Sequence, residues 1–458
     1  MSDRHPSTPV DVATTLRDDA VVRDIVLSTA RAFPRRDPQL YASAFHDDGV
    51  VVEGEGRASV SPAVHMERLA SGPWVAGQQV LTNLVVGVDG DAATVSSFFI
   101  DAVAHDPKQQ HGAATVLTGG RFRDLLERRD DAWRITERTI EVEWTVQGDA
   151  SALDLFRASG VTTGDVADQA RRLDGCRAPR DTQELLDRQA VIDAIMHCAR
   201  GVDRLDAEVF DRYFGADMTM AFGAVEVPGP AFAQVSRGDA PNRLATQHAV
   251  SNVVVVVDGD RAMAETLLLG VVAYREGFGP AFIDASSSGL GGLMMSGCRY
   301  LDDWVRGTDG WALERRVLVQ EWTGRFDDSA IPALADRADA VGRRDREDPS
   351  YARLFPPRPP ADLRELGDRR QIEDAVVETC TTGDAHRYVL NTVVTVDGDA
   401  AAAEAYCLAV TRDDDGPAAR LHGSRELIDL ERAGPGWRVT RTTTIPEWET
   451  VAASAVPA

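Results

Sequence analysis

The sequence predicts an α+β protein built from three tandem copies of one unit, helices first and long antiparallel strands after them. Three observations carry this expectation. A β-branched run closed by Asp-Gly-Asp occurs three times, as Asn83–Asp91, Asn252–Asp260 and Asn391–Asp399. A Trp-led strand ending in Glu-Trp also occurs three times, from Trp133 to Trp144, Trp311 to Trp322 and Trp437 to Trp448. Ahead of each pair lies a segment of helical spacing. Repetition at this scale decides the architecture before any single element does.

In order along the unit, the first helix is clearest in the middle copy, where Val191, Ala194, Ile195 and Cys198 recur on one helical face. Its counterpart in copy one is Val21–Val26, with Asp24 opposite Asp193, and in copy three Glu365–Arg369 mirrors Glu184–Arg188. A second helix follows in the first two copies, Asp37–Phe45 matching Asp206–Phe214. The Asp-Gly pair after each β-branched run is the strongest short hairpin signal, and a second apolar strand such as Arg261–Val272 follows it. A third shared strand begins at Arg121, Arg299 and Arg425. The last alternates with period two through Trp311, Leu313, Arg315, Val317 and Val319, as a half-buried strand should.

The third copy is short. Asp187 and Asp368 lie 181 positions apart but Asn252 and Asn391 only 139, so copy three lacks 42 residues, covering the second helix, a strand and the third helix. Such a unit cannot cover its own sheet and is expected to pack on a neighbour. The units are expected at 10–148, 181–327 and 361–450. Residues 149–180 and 328–360 read as polar linkers, the second stiffened by Phe355-Pro356-Pro357-Arg358-Pro359-Pro360.

Composition narrows the function classes. The 458 residues carry a net charge of −24, which disfavours nucleic acid and anionic membranes as partners. Lys108 is the only lysine, so Schiff-base chemistry is confined to one loop. Five scattered cysteines without a CxxC pair support neither a disulfide framework nor a zinc site. No signal peptide and no membrane-spanning run are visible, so a cytoplasmic location is expected. There is no G-x-S-x-G elbow, and Ser286–Gly292 lacks the ending of a phosphate loop, reading instead as a turn possible over a pocket mouth.

The helix Asp187–Asp203, Phe210-Asp211-Arg212-Tyr213-Phe214, Asp217, the strand entry His248 to Asn252 and the strand Trp311–Trp322 together resemble the nuclear-transport-factor-2-like (NTF2-like) fold, specifically its SnoaL-like group. The resemblance covers nearly all of repeats one and two and about two-thirds of repeat three. It implies three cone-shaped repeats, helices on a curved antiparallel sheet, the third truncated. The fold hosts dehydratases, dehydrochlorinases, isomerases, polyketide cyclases and non-catalytic binders, so it does not choose among them.

The dehydratase-like members imply an Asp at the end of the first helix paired with a His entering the third strand; those positions are Asp203 and His248. A neutral imidazole can take a proton next to a carbonyl or leaving group, and a buried carboxylate fixes its tautomer. Arg316 matches the family position of an anion-stabilising arginine, and no cofactor or metal is needed. Structural alternatives stand beside each: Asp203 as a helix-end polar residue, His248 as a satisfied strand histidine, Arg316 as a solvated strand residue. Copy one has Pro34 and Gln79 at the dyad positions and is expected to be inactive; copy three has Asp384 and Arg387, with His386 one residue away on the opposite face. Cys198 stands where relatives place a Tyr or Lys proton donor and is expected only to line the pocket. His197 is expected at a surface or interface.

Tyr213, Met218, Met220, Phe222, Phe232, Leu267, Leu269, Leu293, Met294 and Met295 are the candidate apolar lining, or else core. The leading expectation is a cofactor-free lyase, isomerase or cyclase for a hydrophobic small molecule, of secondary-metabolism type. Two others stay open: a non-catalytic binding or assembly protein, and a scaffold subunit like the small subunit of ring-hydroxylating dioxygenases. The flanking repeats are expected to replace oligomer partners within one chain, with a homodimer left open.

Overall fold

A computed structural model describes residues 12–53, 59–105, 114–149, 178–222, 225–275, 292–326, 344–352, 359–382, 385–412 and 418–454. Repeat one runs α1 (Val12–Arg35), α2 (Pro38–Ser43), β1 (Phe45–Glu53), β2 (Ser59–Val60), α3 (Pro62–Ala70), β3 (Trp74–Asp89), β4 (Ala92–His105), β5 (Ala114–Arg129) and β6 (Ala132–Asp149). Repeat two repeats this order as α4 (Thr182–Arg204), α5 (Ala207–Tyr213), β7 (Thr219–Phe222), β8 (Val225–Pro228), α6 (Gly229–Gly238), β9 (Arg243–Asp258), β10 (Arg261–Tyr274), β11 (Gly292–Gly307) and β12 (Gly310–Phe326). Repeat three keeps α7 (Leu363–Cys380), β13 (His386–Asp397), β14 (Ala400–Arg412), β15 (Ala418–Ala433) and β16 (Gly436–Ser454).

Local chemistry sets these boundaries. Asp181, Asp206 and Asp362 cap α4, α5 and α7 through their side chains, as Asp37 and Ser61 do for α2 and α3. Gly90, Gly259 and Gly398 sit at φ near +60° in the three Asp-Gly hairpins, the left-handed conformation that the turn requires. In each of the first two repeats the strands run antiparallel, except that β1 joins β6 and β7 joins β12 in parallel. The three sheets are linked where the long last strands meet, Asp149 of β6 pairing with Arg325 of β12, and Gln147 with Ala453 of β16.

The three repeats close on one another in a ring, and the same residue positions do it each time. The side-chain oxygen of Asn252 accepts from Leu81 N and its amide donates to Gln79 O. Asn391 makes the same pair of bonds to Val250 N and His248 O, and Asn83 to Val389 N and Arg387 O. Asn83 and Asn252 hold φ of 53° and 49° at a bulge, which frees the side chain to reach the neighbouring sheet. Trp144, Trp322 and Trp448 pack together in a core between the sheets, their indoles bonded to Tyr388, Gln78 and Gln247 of the next repeat in the ring. Leu16, Leu185 and Leu366, one from each first helix, meet in a cluster of their own. The short third repeat therefore covers its sheet by packing on its neighbours.

Asn252→Ala is expected to cost about 2–4 kcal/mol: two buried hydrogen bonds are lost and a Cβ residue without a polar side chain must hold a left-handed conformation. Asn252→Gly should recover only the backbone part. A shift in urea midpoint equivalent to less than about 1 kcal/mol for the alanine variant would count against the ring of asparagines as a source of stability.

Among the described residues no helix is long and apolar enough to cross a membrane. The four described cysteines, Cys198, Cys298, Cys380 and Cys407, are free and buried.

Candidate functional site

Asp203 lies in the last turn of α4, which ends with Leu205 in the left-handed conformation at φ 51°. His248 lies on the face of β9 that looks into the cone of repeat two, opposite Gly270 of β10. The helix end and the strand meet: Asp203 Oδ1 is 2.6 Å from His248 Nδ1, and Asp203 Oδ2 accepts from the His248 backbone N at 2.8 Å. Asp203 is fully buried, while the His248 side chain is 19% exposed, so the ring keeps access to a ligand. Burial pushes the Asp203 carboxyl up, but the charge of His248 and the bonds from its ring and backbone outweigh this and leave it below the usual carboxylate range.

Both residues are also held from outside repeat two. Asn391 of β13 donates to the carbonyl of His248 at 2.8 Å. Arg344, in the segment 344–352, donates through Nε to the carbonyl of Asp203 at 3.1 Å. Burial lowers Arg344 to about 10 despite the nearby Asp203 charge. That segment falls inside the stretch expected to be a linker, and the sequence does not single Arg344 out. No local pattern marks it, because its partners lie about 140 residues upstream.

Arg316 is buried and forms a two-pronged pair with Asp302, at 2.7 and 2.6 Å, with its guanidinium over the Tyr300 ring at 4.1 Å. It is not a solvated residue, and its charge is already matched. Repeat one contains the same buried pair, Arg138 with Asp124, in a cone that lacks the dyad. Cys198 is fully buried, and burial pushes its thiol up to about 12, so it is no proton donor at neutral pH.

Met218 and Met220 are buried in the core of repeat two, with Phe222 and Phe232 packed against it. Met294 packs with Tyr274 and Val272. Leu269 does not line the cone. It sits in the core between the three sheets, and Leu267 shares its face, because successive strand residues point to opposite sides. Leu293 and Met295 are in that central core too, and Leu268 takes the cone side. Tyr213 belongs to the same core as Met218 and Met220, edge-on to Trp304, and also lines a cavity on the outer side of α4. His197 lines the same cavity and is buried, at the interface expected for it where the chain ahead of α7 meets α4, and not at the surface. Ser286–Gly291 and Asp384 lie outside the described residues.

In repeat one, Gln79 occupies the place of His248 and donates to Asp101 Oδ1 at 2.9 Å; Asp101 stands opposite it on β4, where repeat two has Gly270. Burial raises Asp101 to about 7. A histidine–carboxylate pair also occurs in this repeat, His65 with Glu53 at 2.6 Å, so such a pair is not distinguishing by itself. The Asp203–His248 pair differs in that both carboxylate oxygens engage one residue. In repeat three, His386 shares a face with Tyr388 of the central core and contacts Glu143 of repeat one at 2.8 Å.

The Asp101 value sets a pH dependence. A carboxyl raised when folded stabilises the fold fully below its unfolded pKa of 3.8, and that contribution is lost as pH rises through about 7. Asp101→Asn should therefore flatten the loss of stability between about pH 5 and 8, gaining roughly 1–2 kcal/mol at pH 8, as read from urea midpoints at the two pH values. Equal pH dependence in the variant would rule out Asp101 as a source.

A curved antiparallel sheet capped by helices, with a carboxylate-held histidine on its inner face, is the arrangement of a cone-fold protein. The chain belongs to the SnoaL-like domain family, whose profile matches residues 14–139, 183–317 and 341–443. The third match begins ahead of α7 and takes in the segment 344–352. Among solved structures, LinA aligns with 29% of this chain and 89% of its own at 20% identity and a TM-score of 0.26. The hexachlorocyclohexane dehydrochlorinase LinA-type3 from Novosphingobium barchaimii aligns with 29% of this chain and 91% of its own, at 17% identity and 0.26. A putative scytalone dehydratase from Novosphingobium aromaticivorans aligns with 29% of this chain and 88% of its own, at 14% identity and 0.26. No match was found among curated protein sequences.

Proposed function

We propose that repeat two is a cofactor-independent lyase or isomerase unit acting on a hydrophobic small molecule, cyclisation included among its possible reactions. His248 is the base and Asp203 its orienting partner. The observation that carries this reading is the double engagement of Asp203. With the ring neutral, Nδ1–H donates to Oδ1 while the His248 backbone N–H occupies Oδ2. The imidazole is thereby fixed in the tautomer that leaves Nε2 as the basic nitrogen. Cys198 offers no separate acid, which favours reactions in which one residue both removes and returns the proton. Arg316, with its charge matched by Asp302, is assigned to the floor of the cone beneath Tyr300 rather than to a free cation. Repeats one and three serve as built-in partners that position β9 and the end of α4.

A second reading, a binding protein without turnover, is favoured by that same charge matching, which leaves a developing anion without a free arginine at this position.

Asp203→Asn decides between them. Asparagine has one acceptor oxygen; given to the His248 backbone N–H, it turns its amide N–H toward Nδ1 and forces the proton to Nε2. Turnover of a small-molecule substrate should fall by about 10²–10⁴-fold, with the tautomer switch visible in ¹⁵N ring shifts. A switched tautomer with unchanged turnover would sink the dyad mechanism.

A further inference from the structure

Outside the cone of repeat two lies a cavity of about 260 Å³ with chemistry of its own. One wall is the outer face of α4, where Ala190 and Ala194 leave a shallow floor; the other is made by Trp311 and by Pro359 and Pro360, just ahead of α7. His197 and Tyr213 both line it, though they are only 8% and 4% exposed. Burial and neighbouring charges act on the imidazole and the phenol, but no hydrogen bond to a described residue does. Neither is among the polar atoms closed off without a partner, so both tips are open to the cavity and available to a ligand or water.

The charges on the wall are unequal. Asp187 is taken by Arg306 at 2.9 and 2.6 Å, and Asp193 by Arg369. Arg212 has no carboxylate partner among the described residues; it lies over the Tyr213 ring at 5.1 Å and donates only to the Asp309 carbonyl at 3.3 Å. The cavity therefore offers one unmatched guanidinium, one phenol and one imidazole. Burial and the neighbouring Arg200, Arg212 and Arg369 hold His197 down to about 3 against the opposing charge of Glu404, so the ring is neutral. The set is confined to this repeat. Ser28, Ser43 and Ala44 occupy the corresponding positions of repeat one, and Ser28 bonds within its own helix to Ile25 O.

We propose that this cavity is a second ligand site, separate from the dyad, that takes a small planar monocarboxylate. Arg212 supplies the charge, Tyr213 a donor and His197 a ring N–H. One unmatched guanidinium suits one negative charge; a dianion such as phosphate would leave a charge uncompensated in a part-buried slot. Trp311, Pro359 and Pro360 give the lining apolar ring side chains against which a flat body can pack.

The test uses the full chain with ¹⁵N-labelled histidine, titrated with benzoate and, separately, with benzamide as its uncharged analogue. Benzoate is expected to shift the His197 ring signals saturably, with at least tenfold weaker binding in Arg212→Gln, about fivefold weaker in Tyr213→Phe, and an unchanged Kd in His248→Ala. Arg212 is exposed, so its replacement leaves the fold intact. The proposal is overturned by no response at His197, by benzamide binding as tightly as benzoate, or by Arg212→Gln binding as the unaltered chain does. Loss of binding in His248→Ala would overturn the separateness of the two sites.

Discussion

His248→Ala is expected to lower turnover of any substrate of repeat two by at least about 10³-fold, while Gln79→Ala and His386→Ala leave it within about twofold. The three variants replace related positions of one chain, and urea midpoints measured beside turnover separate effects on the fold from effects on the site. His248 is bonded through Nδ1 to a buried carboxylate, which leaves Nε2 for the proposed chemistry. Gln79 holds the same strand position but offers an amide, which takes no proton at neutral pH, and its partner Asp101 is engaged with it. His386 is a histidine on the wrong face, among the residues between the sheets. Equal loss from His248→Ala and Gln79→Ala would mean that both act on the fold. No loss from His248→Ala would move the chemistry elsewhere.

The repeat architecture is legible because its signals are local. Asp-Gly hairpins, Trp-led strands and helical spacing recur within windows of ten to twenty residues, and a matching family pattern ties Asp203 to His248 across 45 positions. What stays hidden is non-local. Nothing in the run Asn391–Asp397 says that its asparagine reaches the carbonyl of His248, 143 residues earlier. Arg344 stands in a segment with no periodic pattern, so its place beside Asp203 follows only from how that segment docks. The expectation for Leu267 and Leu269 fails for a different reason: both faces of β10 are buried, one by the cone and the other by the neighbouring sheets, so hydrophobicity alone does not separate them. Arg316 is expected as an anion stabiliser or else as a solvated strand residue, yet it is buried against Asp302, fourteen positions earlier on the adjacent strand.

Arg425→Ala should destabilise the chain by about 3–5 kcal/mol at pH 7, and by less at pH 5. Arg425 is fully buried and binds Glu404, Glu447 and Asp348 together. Arg204 of α4 shares Asp348 and Glu447, and Arg200 takes Glu404 at 2.6 Å. Three arginines thus balance three carboxylates where the end of the first helix of repeat two meets the sheet of repeat three and the segment 344–352. Removing one arginine leaves an uncompensated carboxylate out of reach of water, which costs far more than an exposed ion pair would. Burial pushes the Asp348 and Glu404 carboxyls up, but the arginines outweigh it and hold both below their ordinary values. In the variant that hold weakens, one acid can take a proton, and lower pH relieves part of the cost. Urea midpoints at pH 5 and 7, with protease cleavage within 344–352, would measure both effects; a cost under about 1 kcal/mol, or one that grows as pH falls, would refute the account. Arg204 of this cluster is next in sequence to Asp203, and Arg344, on the same segment as Asp348, holds the Asp203 carbonyl; the variant should therefore also loosen the dyad, linking the stability of the truncated repeat to the chemistry proposed for its neighbour.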